Sequence, residues 1–195
     1  MKCAWHSFWS ASNRRLWLQA LLGLFIILAA HSANGETANV YKMDGVWRDE
    51  GNEPFQFSSL AGKKTVFALF YSTCKTICPM TVKSLKSIEK AMGATKDLQF
   101  VLVTIDPKAD SPKQLREFAK AQKISGWKML TGRPEDTKAL AIALGLGFEE
   151  KRGNVELHQM HSKSLVIVKE SGEAAGALPL FEFEMAEARA LLATK

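Results

Sequence analysis

Cysteine is scarce in this chain: there are three among 195 residues, and only Cys74 and Cys78 lie beyond residue 35. A small domain stapled by several disulfides is therefore excluded. Histidine is nearly as scarce, with His158 and His161 the only two after His31. No acidic residue precedes Glu36, whereas Lys2, Arg14 and Arg15 do. The chain lacks internal repeats and low-complexity runs, which excludes solenoids and repeat arrays. It also lacks a basic stripe with interleaved aromatics. The formal charge of +6 falls to +3, from 23 basic and 20 acidic residues, once residues 1–35 are set aside. Nucleic acid is not an expected partner.

What the front of the chain has is a targeting pattern. Arg14 and Arg15 precede an apolar run from Leu16 to Ala30, and small and polar residues follow from His31 to Glu36. A basic flank, a short apolar stretch and a small-residue exit are the parts of a secretory signal peptide. Those 15 residues would span about 22 Å as a helix, short of a roughly 30 Å hydrocarbon core. Residues 1–35 are thus expected to be a signal peptide, or, with Trp17 and the arginines at the interface, an N-terminal membrane anchor. Residues 36–195 are long enough for one domain. The expected location is outside the cytoplasm: the periplasm, soluble or anchored to the membrane facing it.

Beyond residue 36, strand and helix patterns alternate. Val46 and Trp47 suggest a small edge strand or hairpin. Thr65 to Tyr71 is a continuous apolar and aromatic run, which reads as a strand buried on both faces. Proline suits the first helical position and disfavours helix in the residue before it. Pro79 therefore predicts a helix start with Cys78 as its N-cap. Val82, Leu85, Ile88 and Met92 then form its inward stripe, and Gly93 ends it. A second buried strand, Phe100 to Ile105, runs into Asp106-Pro107. Ser111, Pro112 and Gln114 have capping-box spacing for the next helix. A third helix is expected from Pro134 to Leu144. A strand from Leu165 to Val168, a turn at Ser171-Gly172-Glu173, a weak returning strand from Ala174 to Leu178 and a closing helix over 182–193 complete the chain. Alternating strands and helices with a late hairpin predict an α/β, thioredoxin-like fold, a central mixed sheet flanked by helices. Cys74, Cys78 and Asp106 all follow strand ends, so they are expected on one rim.

Two cysteines four apart form a local pair that is redox-active, metal-binding or both. A thiol at a helix N-terminus is favoured as thiolate by free amide N–H groups and the dipole. Lys75 adds charge nearby, or is only a loop residue. Three intervening residues allow either a disulfide or a two-sulfur chelate. Soft sulfur favours Cu(I), and an imidazole also suits Cu(II) and zinc. His158 and His161 precede a predicted strand, and Met160 lies between them. Each is either a candidate ligand or a residue with no metal role. A Cys/Cys/His set leaves an open position, unlike a structural zinc site closed by four ligands. Asp106 is either a turn residue before Pro107 or a carboxylate beside the site.

Four blocks taken together resemble the SCO/SenC family of copper-binding assembly factors for cytochrome c oxidase. They are Cys74-Lys75-Thr76-Ile77-Cys78-Pro79-Met80-Thr81; Val103-Thr104-Ile105-Asp106-Pro107 with Ser111-Pro112; Leu130-Thr131-Gly132 after Trp127; and His161-Ser162 before an apolar strand. The resemblance covers roughly Gly62 to Leu178. It implies a thioredoxin fold with Cys74, Cys78 and His161 as copper ligands, and a disulfide between the cysteines when they are oxidised. It also implies Asp106 as the aspartate after the second central strand, and delivery of copper to the copper-A centre of a respiratory oxidase or maintenance of that centre's cysteines as thiols. The chain departs from the family in having Lys75 where proline is usual and Met160 where aspartate is common before the histidine.

Two functions follow. One is a copper metallochaperone, a binding protein without turnover that would hold Cu(I) and Cu(II) for an oxidase subunit or another exported copper protein. The other is a thiol-disulfide oxidoreductase acting through Cys74 and Cys78 on the cysteines of a copper-protein partner. His161 separates them, because copper needs it and thiol exchange does not.

Overall fold

The computed structural model describes residues 38–93, 96–146 and 164–194. The expected signal peptide or anchor therefore lies outside the described residues, as do His158, Met160 and His161. Among the described residues no helix is long and apolar enough to cross a membrane.

Among the described residues seven strands form one sheet: β1 (Trp47–Asp49), β2 (Pro54–Phe55), β3 (Lys64–Phe70), β4 (Leu98–Thr104), β5 (Lys128–Gly132), β6 (Ser164–Val168) and β7 (Ala174–Pro179). Their order is β2-β1-β5-β4-β3-β6-β7. The central β3, β4 and β5 are parallel, while β1 against β5, β6 against β3, and both outer pairs are antiparallel. The α-helices among the described residues are α1 (Ile77–Met92), α2 (Pro112–Ala121), α3 (Pro134–Ala143) and α4 (Met185–Ala193). The fold is the α/β, thioredoxin-like arrangement expected, a mixed sheet flanked by helices.

Side chains alternate across a strand, so the apolar runs of β3 and β4 feed two separate cores. Val66, Ala68 and Phe70 point to one face with Phe100 and Leu102. There they meet Val82, Leu85 and Ile88 of α1, Leu115 and Phe118 of α2, and Ala188 and Leu192 of α4. Phe67, Leu69, Val101 and Val103 point to the other face, against Leu140 of α3 and the aromatics Trp47 and Phe57. Cys74 and Cys78 belong to the first core.

Several element ends differ from the sequence reading. The first helix starts at Ile77 with Thr76 as N-cap, so Cys78 is its second residue and Pro79 its third. The first four N–H groups of a helix have no partner inside it, so proline costs nothing there. The Ser111 hydroxyl makes no cap bond, and Ser111 instead accepts from the Leu115 N–H through its backbone carbonyl. The closing helix begins at Met185, not at residue 182. β5 has no counterpart in the sequence reading, and the strand at Trp47 lies one place in from the edge, paired to both β2 and β5. β5 lies beside β1 with Gly132 paired to Trp47, and a Cβ at Gly132 would sit 2.5 Å from the Trp47 ring. Glycine is what lets the ring lie flat on that strand.

Candidate functional site

β3 and β4 are in register, with Phe70 opposite Thr104, so their carboxyl ends open onto the same rim. The Ile105 N–H donates to the Phe70 carbonyl at 2.9 Å and ties the two departing loops together. From β3 the chain turns at Tyr71, whose carbonyl accepts from the Cys74 N–H at 3.2 Å, and then enters α1. This turn and the first turn of α1 bring both sulfurs to one place.

The sulfurs are not equivalent. Both are free thiols, but Cys74 is 8% exposed and Cys78 is 1% exposed. The Cys74 sulfur accepts from the Cys78 N–H at 3.4 Å, and the Cys78 sulfur accepts from the Tyr71 N–H at 3.5 Å. Burial acts to raise the Cys74 thiol. Donors around it outweigh burial and bring it down to about 7: the Cys78 and Thr76 N–H groups, the Cys78 thiol and the Tyr71 side chain. At Cys78 burial dominates and pushes the thiol up to about 12. The Tyr71 N–H opposes this only in part, while Cys74 and the Asp110 charge add to it. One thiol is thus half ionised near neutral pH while its neighbour keeps its proton.

Asp110 is a residue the sequence reading missed. It is fully buried, and its carboxylate holds three donors: the Ser72 N–H at 2.9 Å, the Ser72 hydroxyl and the Thr104 hydroxyl at 2.5 Å. It clamps the start of the cysteine loop to the end of β4. Asp106 reaches the same rim, but its carboxylate accepts from the Ala109 N–H of its own turn at 3.3 Å. Its carbonyl accepts from the Asp110 N–H at 2.9 Å. No described bond joins the Asp106 side chain to the cysteine loop. A sequence signal for Asp110 did exist. Thr104 ends an apolar strand and Ser72 follows another, and a buried hydroxyl such as that of Thr104 needs an acceptor.

Lys75 is exposed. Among the described residues no group of three or more histidine, cysteine or acidic side chains is gathered as a metal cage. The two thiols are soft donors within hydrogen-bond reach of each other, which is a donor set that suits Cu(I).

The SCO1/SenC family model matches residues 38–193, nearly all of the chain beyond the front segment. The chain belongs to the SCO1/SenC family. A protein of Stutzerimonas stutzeri that carries the name of a copper-binding protein is 31% identical over 133 residues, covering 66% of this chain and 64% of that protein. The chain thus spans less than two thirds of the length of the curated relatives it matches first. Among solved structures, a SCO1/SenC family lipoprotein from Bacillus anthracis superposes with a TM-score of 0.65 at 21% identity, over 82% of this chain and 97% of the other. Copper-bound ScoI from Bradyrhizobium japonicum superposes with a TM-score of 0.60 at 18% identity, over 75% of this chain and 94% of the other. At such identities the superpositions bear on the fold. The matched range includes the blocks Cys74–Thr81, which runs from the loop into α1, and Val103–Pro107, which runs from β4 into the loop beside it.

Proposed function

We propose that this protein is a copper metallochaperone that holds copper through Cys74, Cys78 and His161, in both Cu(I) and Cu(II), and delivers it to the copper-A centre of a respiratory oxidase. The observation that carries this reading is the pair of free thiols at the carboxyl rim of β3, one of them near half ionisation at pH 7. Metal binding displaces thiol protons, so a thiol with a low pKa gives up its proton cheaply. The copper-bound ScoI of Bradyrhizobium japonicum, which shares the fold, lends further support. So does the entry of β6. It runs antiparallel to β3 and starts at Ser164, on the side where β3 ends, and His161 is three residues upstream in sequence. The site would work outside the cytoplasm, in the periplasm, with residues 1–35 as a cleaved signal or an anchor. The copper is cargo: the chain's task is to orient two sulfurs and an imidazole around it and to leave a position open for the acceptor.

One observation favours a second reading, thiol-disulfide exchange: the split between a thiol near 7 and one near 12. In that chemistry the Cys74 thiolate attacks a partner disulfide, forming a mixed disulfide and releasing one partner thiolate. Cys78 then gives up its proton, closes the Cys74–Cys78 disulfide and releases the second. The partner gains two electrons and the pair loses them.

His161→Ala separates the readings. Two thiolates suffice for Cu(I), whereas Cu(II) prefers nitrogen among its ligands. The substitution is expected to weaken Cu(II) far more than Cu(I), to abolish copper delivery in cells and to leave thiol exchange intact, with His158→Ala as the control. If copper binding and oxidase assembly survive His161→Ala, the chaperone reading fails. If His158→Ala does the damage instead, the ligand is His158.

A further inference from the structure

Beside Cys74 lies a groove of about 480 Å³ between α1 and α2. Cys74 and Lys75 stand at its head, and Phe118 lies in its floor. It continues along α1 past Val82, Lys83, Lys86 and Lys90, the two stretches sharing Pro79 and Gln122. Cys78 does not border it, so the groove leads to one sulfur only. Four lysines line its length against a single acid, Glu117, which itself pairs with Lys113 at 4.0 Å. Lys86 donates to the Gln122 carbonyl at 2.6 Å and still carries its charge. Among the described residues Lys75, Lys83 and Lys90 take part in no ion pair.

We propose that this groove docks an acidic, extended polypeptide segment of the partner and so brings the partner's sulfur to Cys74. The proposal rests on Cys74 as the working thiol. Individual exposed ion pairs contribute little. A row of unpaired lysines in a concave channel instead raises the local concentration of a negatively charged chain and speeds its encounter. A groove lined by a thiol as well as by lysines favours a polypeptide that carries a sulfur over a bilayer surface.

The test uses the full chain and two synthetic peptides of equal length, one acidic and one basic. Each carries one cysteine activated as a disulfide with 5-thio-2-nitrobenzoate. The Cys74 thiolate attacks the peptide sulfur, the new S–S bond forms as the old one breaks, and the coloured thionitrobenzoate anion leaves. No outside oxidant enters. Rates are divided by the rate with a small uncharged disulfide, so that a general change in the thiol cancels. At low salt the acidic peptide is expected to react about tenfold faster than the basic one, a modest instance of electrostatic steering. The preference should shrink at high salt and vanish in Lys83→Glu/Lys90→Glu. Equal rates for the two peptides overturn the proposal, as does a preference that the double variant retains. If the variant loses binding to phosphatidylglycerol vesicles while keeping its peptide preference, the lysines serve a lipid surface and the proposal falls. Copper stoichiometry of the wild-type chain, measured alongside, tests the chaperone reading separately, since its failure leaves the peptide preference standing.

Discussion

At Cys74 burial and hydrogen bonding oppose each other, and hydrogen bonding wins. The thiolate is the reactive form, so lowering the thiol from its usual 9.0 to about 7 makes reactivity rise through neutral pH. Iodoacetamide labelling of Cys74 in the reduced protein is expected to reach half its limiting rate near pH 7. Cys78, held near 12, should stay unlabelled throughout. Mass spectrometry of the labelled peptide against pH checks both. Asp110→Asn removes an acceptor from three donors and a negative charge from beside Cys78. It is expected to lower stability by about 1–3 kcal/mol, the usual cost of an unsatisfied buried group, and to lower the Cys78 thiol. Asp106→Asn should stay within about 0.5 kcal/mol of wild type. Urea unfolding and thiol titration of the two variants compare them. The cysteine pair was legible in the sequence because its residues are local to one another and flanked by strand and proline. Asp110 was legible only through the hydroxyls that need an acceptor, because its partners Ser72 and Thr104 come from other segments and only the sheet register brings them together.

Helices and strands were read correctly where a long apolar run or a regular stripe forced them, as in β3, β4 and α1. β5 escaped because Lys128–Gly132 is short and its ends are only half-buried. It becomes a strand by pairing with β4 and β1, which no local pattern records. Capping chemistry misled in the opposite direction, since the Ser111 spacing is right and the hydroxyl bond is absent. Ser111→Ala should therefore cost well under the approximately 1 kcal/mol typical of a working N-cap, as measured by denaturant unfolding. Gly132→Ala should cost more. Its methyl group would meet the Trp47 ring at 2.5 Å, and overpacking of this kind costs about 1–3 kcal/mol. A lowered thermal midpoint without loss of the thiol pair would show that this junction is structural.

For the molecule as a whole, the two faces of the sheet have separate tasks. One face packs α3 and the aromatic cluster around Trp47 against the sheet. The other contains both cysteines among the side chains of α1, α2 and α4. A chain beginning at Glu36 is expected to unfold in one transition at the midpoint of the full chain, monitored by circular dichroism. Cys74 and Cys78 are members of a core and not ornaments on it, so metal held there, as proposed, would be linked to resistance to heat. Metal at one hundred times its dissociation constant would add about 2.7 kcal/mol to the folded state. For a chain of this size each kcal/mol moves the midpoint by about 2–4 °C. On the proposed copper reading the melting temperature would double as a fuel gauge: metal-free copies would be the softer ones, and the first that a housekeeping protease would clear.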